Sequence, residues 1–187
     1  MTARRTLRLV LVCFVILGCG FPGDTDAHRL DEYLQATRIS MELSRIGVEM
    51  SLTPGAAVAD NVIATIDRDR NGTISQAEGA AYVAVVVRSL SLDVDGQSRP
   101  LALDGYSIPA VADMRRGEGI IRLRATAKMA TASAGGHRLS FANVHRFDIG
   151  AYLINALIPS DERIRITGQS RDTMQHEFKM EYKVTTR

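Results

Sequence analysis

The sequence predicts a mainly β domain, a β-sandwich interrupted by one helix–loop–helix. Three observations lead there. Apolar and polar residues alternate with period two along most of the chain, the pattern of strands with one face buried. The alternation fails over 56–89, where two alanine-rich segments lack it. Finally, 187 residues at 45% hydrophobic content suffice for one domain with a core.

The chain opens on an address. Arg4, Arg5 and Arg8 precede an apolar run from Leu9 to Leu17, followed by small residues and turn formers, the order of a secretory signal. The run is shorter than the roughly 20 residues that span a bilayer, and nothing downstream reaches that length, so no transmembrane segment is expected in the mature chain. Two exits are open. Thr25-Asp26-Ala27 fits a plain cut that leaves His28 first, whereas Ile16-Leu17-Gly18-Cys19 resembles a lipobox that would lipidate Cys19. Cys13 and Cys19 are the two cysteines, so a cut after Ala27 leaves no thiol and no disulfide. It also removes Arg4, Arg5, Arg8, Asp24 and Asp26, leaving 20 basic and 19 acidic residues. The expected organisation is a signal peptide over 1–27 and a single domain over 28–187, located in the periplasm or secreted.

Strands follow. Ile39, Met41 and Leu43 alternate, then Ile46, Val48, Met50 and Leu52, with Ser44-Arg45 short enough for a hairpin. The period returns at Leu90, Leu92 and Val94, and again at Leu101 and Leu103, with Asp95-Gly96 as the turn signal between them. Ile121 to Met129 forms a longer run, separated by Gly135-Gly136 from Leu139 and Phe141. Ala151 to Ile158 is nearly all apolar, which reads as a central strand closed by Pro159-Ser160-Asp161. Ile164 and Ile166 come next, and Phe178, Met180, Tyr182 and Val184 end the series. About nine strands with turns between them fit a sandwich of immunoglobulin-like type. The two helices are expected over Ala56–Ile66 and Gln76–Leu90, an insertion at about 56–90 between the second and third strands.

Composition narrows the function. A net charge of +2 offers no basic stripe for nucleic acid, and 5% aromatic residues with no tryptophan offer no stacking platform. Apolar content this high at low net charge excludes a disordered chain.

The segment joining the helices is the most informative stretch. Residues 67–78 satisfy the EF-hand pattern D-x-[DN]-x-[DN]-G-x5-E at every position. Calcium takes six to eight oxygen ligands, so a short loop must aim several oxygens inward. Asp67, Asp69 and Asn71 would supply side-chain oxygens, Thr73 its carbonyl, Ser75 a direct or water-held contact, and Glu78 both carboxylate oxygens. Gly72 stands where the loop bends sharply. At average residue frequencies the fixed positions match by chance in roughly one chain of this length per few thousand. A metal-free, Asx-rich turn is the plainer reading. Arg68 and Arg70 point outward and offset the loop's charge, which predicts affinity of about 10⁻⁴–10⁻³ M or somewhat tighter. Ile74 occupies the position that ordinarily makes a short β-contact with a partner loop, and the sequence contains no second loop.

Together, His28-Arg29-Leu30-Asp31-Glu32-Tyr33-Leu34, the Leu52-Thr53-Pro54-Gly55 step, the 67–78 loop and the Asn155-Ala156-Leu157-Ile158-Pro159 run resemble bacterial extracytoplasmic EF-hand domains. Similar domains precede the membrane segments of proteins related to hydrogenase- and urease-accessory nickel permeases. The resemblance implies an extracytoplasmic module with an unidentified membrane or periplasmic partner. The present sequence ends at Arg187 without a membrane segment, which speaks against a transport role.

Other chemistry finds little support. His28, His137, His145 and His176 are scattered singly and read as solvated or hydrogen-bonded surface residues, with no zinc spacing. Ser40, Ser51, Ser91 and Ser140 lie in strands without a nucleophile elbow. Gly117-Glu118-Gly119 lacks the third glycine of a phosphate loop, and the Asp161-Glu162 and Asp93/Asp95 pairs flank turns. The leading expectation is therefore a non-catalytic calcium-binding module. Two alternatives stand beside it: a copper or nickel handler using the amine and imidazole of His28 with a second ring from His145 or His176, and a metal-stabilised adhesion or assembly domain.

Overall fold

A computed structural model describes residues 31–186. The leader over 1–27, Cys19 and His28 lie outside the described residues.

Among the described residues, ten strands form two five-stranded sheets. In chain order they are β1 (Tyr33–Met41), β2 (Arg45–Pro54), β3 (Leu90–Val94), β4 (Gln97–Ser98), β5 (Ala102–Ser107), β6 (Ile121–Lys128), β7 (Gly135–Asn143), β8 (Gly150–Ala156), β9 (Ile164–Arg171) and β10 (Glu177–Val184). Sheet A has the order β5-β6-β2-β1-β8 and sheet B the order β4-β3-β7-β10-β9. Every pairing is antiparallel apart from β1 with β8. The fold is mainly β, and its two sheets are those of a sandwich.

Period two sets which side chains enter the core. Ile39, Val48, Met50, Leu123, Leu139, Phe141, Phe178 and Met180 are buried from their strands, and they belong to one cluster shared by both sheets. Fully burying a large aliphatic or aromatic side chain contributes about 1.5–3 kcal/mol, so this cluster is the principal stabilising feature. The Ser44-Arg45 hairpin between β1 and β2 is as expected, with Glu42 N–H donating to the Arg45 carbonyl at 2.9 Å.

Helices α1 (Ala56–Ile66) and α2 (Gln76–Arg88) lie between β2 and β3 and carry the chain from sheet A to sheet B. Their inner faces, Ala59, Val62, Ile63 and Ile66 on α1 and Tyr82, Val83 and Val86 on α2, join the same core. Three consecutive valines are poor helix formers, yet α2 holds because Val86 is buried and the first turn is capped. The helix ends at Arg88, and Leu90 already belongs to β3.

Three expectations are corrected. The apolar run Ala151–Ile158 is an edge and not a central strand, since β8 pairs with β1 alone and Ile158, beyond its end, is 93% exposed. Apolar residues on both faces look alike whether a neighbouring strand or solvent lies beyond them. The Asp95-Gly96 turn, with φ of 55° and 78°, joins β3 to the two-residue β4, and the strand at Ala102–Ser107 crosses to sheet A. A short helix, α3 (Val111–Arg115), fills a stretch for which no element was expected, burying Val111 and Met114. It stops at Gly117, φ 75°, and Gly119 then passes so close that a Cβ there would sit 2.6 Å from the Met114 nitrogen. Close backbone passage, not phosphate binding, accounts for that glycine pair. Among the described residues no helix is long and apolar enough to cross a membrane.

Candidate metal centre

Asp67 is the last cap of α1, its N–H donating to the Ile63 carbonyl at 2.8 Å. The residue is only 5% exposed. A buried carboxylate needs partners, and it finds them in its own loop. One oxygen accepts from Asn71 N–H at 3.1 Å and the other from Gly72 N–H at 2.9 Å. Asp69 accepts from the Asn71 backbone at 3.1 Å and from its side-chain amide at 2.8 Å. The Asn71 side-chain oxygen in turn accepts from Thr73 N–H at 2.8 Å and from the Thr73 hydroxyl at 2.6 Å.

These contacts require a tightly coiled backbone. Arg70 (φ 58°) and Gly72 (φ 82°) both adopt the left-handed region, and they alternate with the residues whose side chains turn inward. No atom lies within 4 Å of where a Cβ on Gly72 would stand, so glycine is required there by torsion and not by crowding.

The exit side is built on a capping box. Ser75 is the N-cap of α2: its hydroxyl oxygen accepts from Glu78 N–H at 3.3 Å, and Glu78 Oε2 accepts from Ser75 N–H at 2.9 Å and from the Ser75 hydroxyl at 2.7 Å. Glu78 Oε1 reaches back across the loop to Arg68 N–H at 2.8 Å. One carboxylate thus fastens the end of the loop to its beginning. The Ser75 hydroxyl first, then the Ser75 N–H and the Arg68 and Asp69 N–H groups, hold the Glu78 carboxyl down to a pKa of about 2, against a smaller opposing effect of desolvation.

Ligand atoms of Asp67, Asp69 and Glu78 all lie within 4.8 Å of one another. Three carboxylates at that spacing repel unless a positive charge or several amide dipoles compensate them. The amides do so in part. Each carboxylate oxygen has a second lone pair, so acceptor capacity is left beyond these bonds. The gathered set is oxygen only, the preference of a hard divalent cation and not of copper or nickel.

Of the six residues predicted from sequence, the structure gathers Asp67, Asp69 and Glu78 directly and binds Asn71 and Ser75 to those carboxylates. Thr73 contributes its N–H and hydroxyl to Asn71. Arg68 and Arg70 are exposed, and Ile74 packs its side chain on the core outside any strand.

Sequence reasoning missed a second polar group in the interior. Gln35, Thr37, Asn143 and His145 are buried together with Tyr33, Tyr82 and Tyr152. The Tyr33 and Tyr82 hydroxyls meet at 2.7 Å, Gln35 donates to the His145 carbonyl at 2.7 Å, and Asn143 donates to the Gln35 side chain at 2.9 Å. Phase was the available signal, because Gln35 and Thr37 share the inward parity of Ile39, and Asn143 that of Phe141. His145 was expected at the surface and is 4% exposed. His137 is bonded to Asp95 at 2.7 Å and His176 to Asp172 at 2.8 Å. Tyr82 lies one helical turn beyond Glu78, so α2 carries both a carboxylate of the 67–78 loop and a member of this interior group.

Compared with known proteins, the chain matches no family model and no curated relative.

Proposed function

We propose that the chain is a non-catalytic, calcium-binding extracytoplasmic module with a single EF-hand. The observation that carries this reading is the convergence of Asp67, Asp69 and Glu78 within 4.8 Å, in a loop whose left-handed residues are Arg70 and Gly72. Calcium would take oxygens from these three carboxylates, with Asn71, the Thr73 carbonyl and Ser75 completing the shell. Binding would hold the helix pair and orient it against both sheets. An immunoglobulin-like sandwich is the scaffold in this reading, for which the two five-stranded sheets and their mostly antiparallel pairing speak. The leader over 1–27 would deliver it to the periplasm or the medium, as a plain secreted protein or as a lipoprotein through Cys19. The resemblance to domains ahead of nickel-permease-type membrane segments fits a module that works beside a membrane or periplasmic partner.

A copper or nickel site through His28 would need a second ring. His145 is buried with Nε2 at 3.0 Å from the Tyr82 hydroxyl, whereas His176 is held by Asp172 through Nδ1, an arrangement that leaves Nε2 for a metal. An adhesion or assembly role has one observation in its favour, the edge strand β8 with Leu153 and the following Leu157 and Ile158 exposed. Calcium titration with a thermal-melting readout tests the main reading. A ligand that binds the folded form alone adds RT ln(1 + [L]/Kd), about 2.7 kcal/mol at a hundredfold excess over Kd. Millimolar calcium should raise the melting temperature by several degrees, and EDTA should reverse it. Equal melting with calcium and with EDTA reduces the loop to a turn.

A further inference from the structure

Sheet A turns one face to the core and the other outward. On β1, β2 and β6 the inward residues are Ile39, Val48, Met50 and Leu123, so Arg38, Glu49, Arg122 and Arg124 project from the outer face. Register sorts them into rows. Arg38, Glu49 and Arg124 stand side by side across three strands, with Gly105 of β5 beyond Arg124. In the next row Arg122 lies between Ser51 and Ser107.

Two features make this more than a solvated face. Strand β5 shifts register between Leu103 and Gly105, and the glycine it presents to Arg124 has no side chain to fill the space. A Cβ built there would lie 3.7 Å from a guanidinium nitrogen of Arg124. The result is a groove of about 330 Å³ whose lining includes all three arginines. That volume is at the lower end of small-molecule sites.

The second feature is charge. Glu49 is engaged by Arg38 at 2.7 Å, whereas Arg122 and Arg124 pair with no carboxylate among the described residues. They are two positions apart on one strand and therefore on the same face, so both guanidinium groups can meet one anion. Guanidinium groups bind planar or tetrahedral oxyanions through paired N–H bonds, and the Ser51 and Ser107 hydroxyls flank Arg122 as further donors.

We propose that the outer face of sheet A carries a binding site for a small oxyanionic molecule, held through its carboxylate or phosphate by Arg122 and Arg124. The site is separate from the 67–78 loop. Tyr106, the β5 residue between Gly105 and Ser107, has the opposite parity and donates to the Gln76 carbonyl at the start of α2. Tyr106 also lines the groove, but Arg122 and Arg124 are on β6, apart from the helix pair and its loop.

Calorimetric titration of the protein with inorganic phosphate and with succinate, at matched ionic strength and once each in calcium and in EDTA, tests this. Saturable binding of either anion, equal in calcium and EDTA, is expected, and whichever binds assigns the headgroup. Arg122→Gln with Arg124→Gln should weaken it at least about tenfold, the loss of one charge-assisted hydrogen-bonding pair. Arg124→Lys keeps the charge without the fork and should fall between. Arg45→Gln, which removes an equal charge beside Glu42 outside the groove, should bind as wild type. All these side chains are on the outer face, so melting temperatures near wild type will certify folding. Absence of saturable binding of both anions overturns the proposal, and so does a double variant that binds as tightly as wild type.

Discussion

The Tyr82 hydroxyl lies 3.0 Å from Nε2 of His145, ring against ring at a centroid distance of 5.5 Å. Burial, with a further contribution from the neighbouring Arg146 charge, pushes the His145 pKa down to about 4 from an ordinary 6.5. A histidine that is neutral in the fold binds more protons once unfolded. Its cost to stability is therefore absent above pH 6.5, grows as pH falls, and is complete near pH 4. That cost amounts to about 3 kcal/mol. His137, raised by Asp95 and the Ser133 carbonyl, has the opposite sign: the stability it contributes is present below its ordinary pKa and is lost as pH rises through the raised one. Urea denaturation at pH 7, 5.5 and 4 should show wild type losing stability through this window and His145→Gln losing much less. Parallel losses in the two proteins would remove His145 as the cause.

Glu78 has two roles, and glutamine fulfils just one of them. In the metal-free protein Glu78→Gln keeps the capping box through its amide oxygen but loses the acceptor that Arg68 N–H reaches, so a modest loss of stability is expected. Ser75→Ala removes the cap itself and should cost about 1 kcal/mol without calcium and more with it, since Ser75 is also a proposed ligand. The calcium-induced rise in melting temperature should vanish in Glu78→Gln and survive in Ser75→Ala, though diminished. Should Glu78→Gln melt below wild type by the same margin in EDTA and in calcium, its carboxylate acts in folding alone.

Arg68→Ala removes an exposed positive charge beside the converging carboxylates. Calcium affinity measured by calorimetry should stay equal or increase, and magnesium should remain the weaker ligand because it demands a tighter octahedral shell. A marked loss of affinity in Arg68→Ala would mean that the arginine organises the loop.

Two glycines should fail for different reasons. Gly72→Ala forces a β-carbon into a left-handed backbone with open space around it, a torsional cost of about 1–2 kcal/mol. Gly119→Ala puts that carbon 2.6 Å from the Met114 backbone, so α3 must shift, and overpacking of that kind costs about 1–3 kcal/mol. Chemical denaturation will rank them, and bound calcium should not rescue Gly119→Ala.

Much of this architecture was legible in the residues because it is local. Strand phase followed from alternation, and α1 was placed at its observed bounds, Ala56–Ile66. The 67–78 loop was legible for the same reason, since its partners are at most eleven residues apart. What the sequence concealed is nonlocal. Nothing in Ala151–Ile158 says that it pairs with β1 alone, or that Asp95-Gly96 turns into so short a strand as β4. The interior polar group joins Gln35 to Asn143 and Tyr82 to His145, contacts that exist only once both sheets and α2 are in place. Five-residue α3 is too short to show a helical period, and Ala110 gives it no side-chain cap.

Strands of the two sheets are interleaved along the chain, and the parallel β1–β8 ladder sets Tyr33 against Gly150, more than a hundred residues apart. Neither sheet is a contiguous segment, so neither can mature while the rest of the chain is still being made. Folding of such a topology waits on distant ends meeting, which makes it slow. The β1–β8 ladder in particular has no second strand to form on until residues up to Ala156 have been made, so sheet A lacks its edge until nearly the whole domain is present.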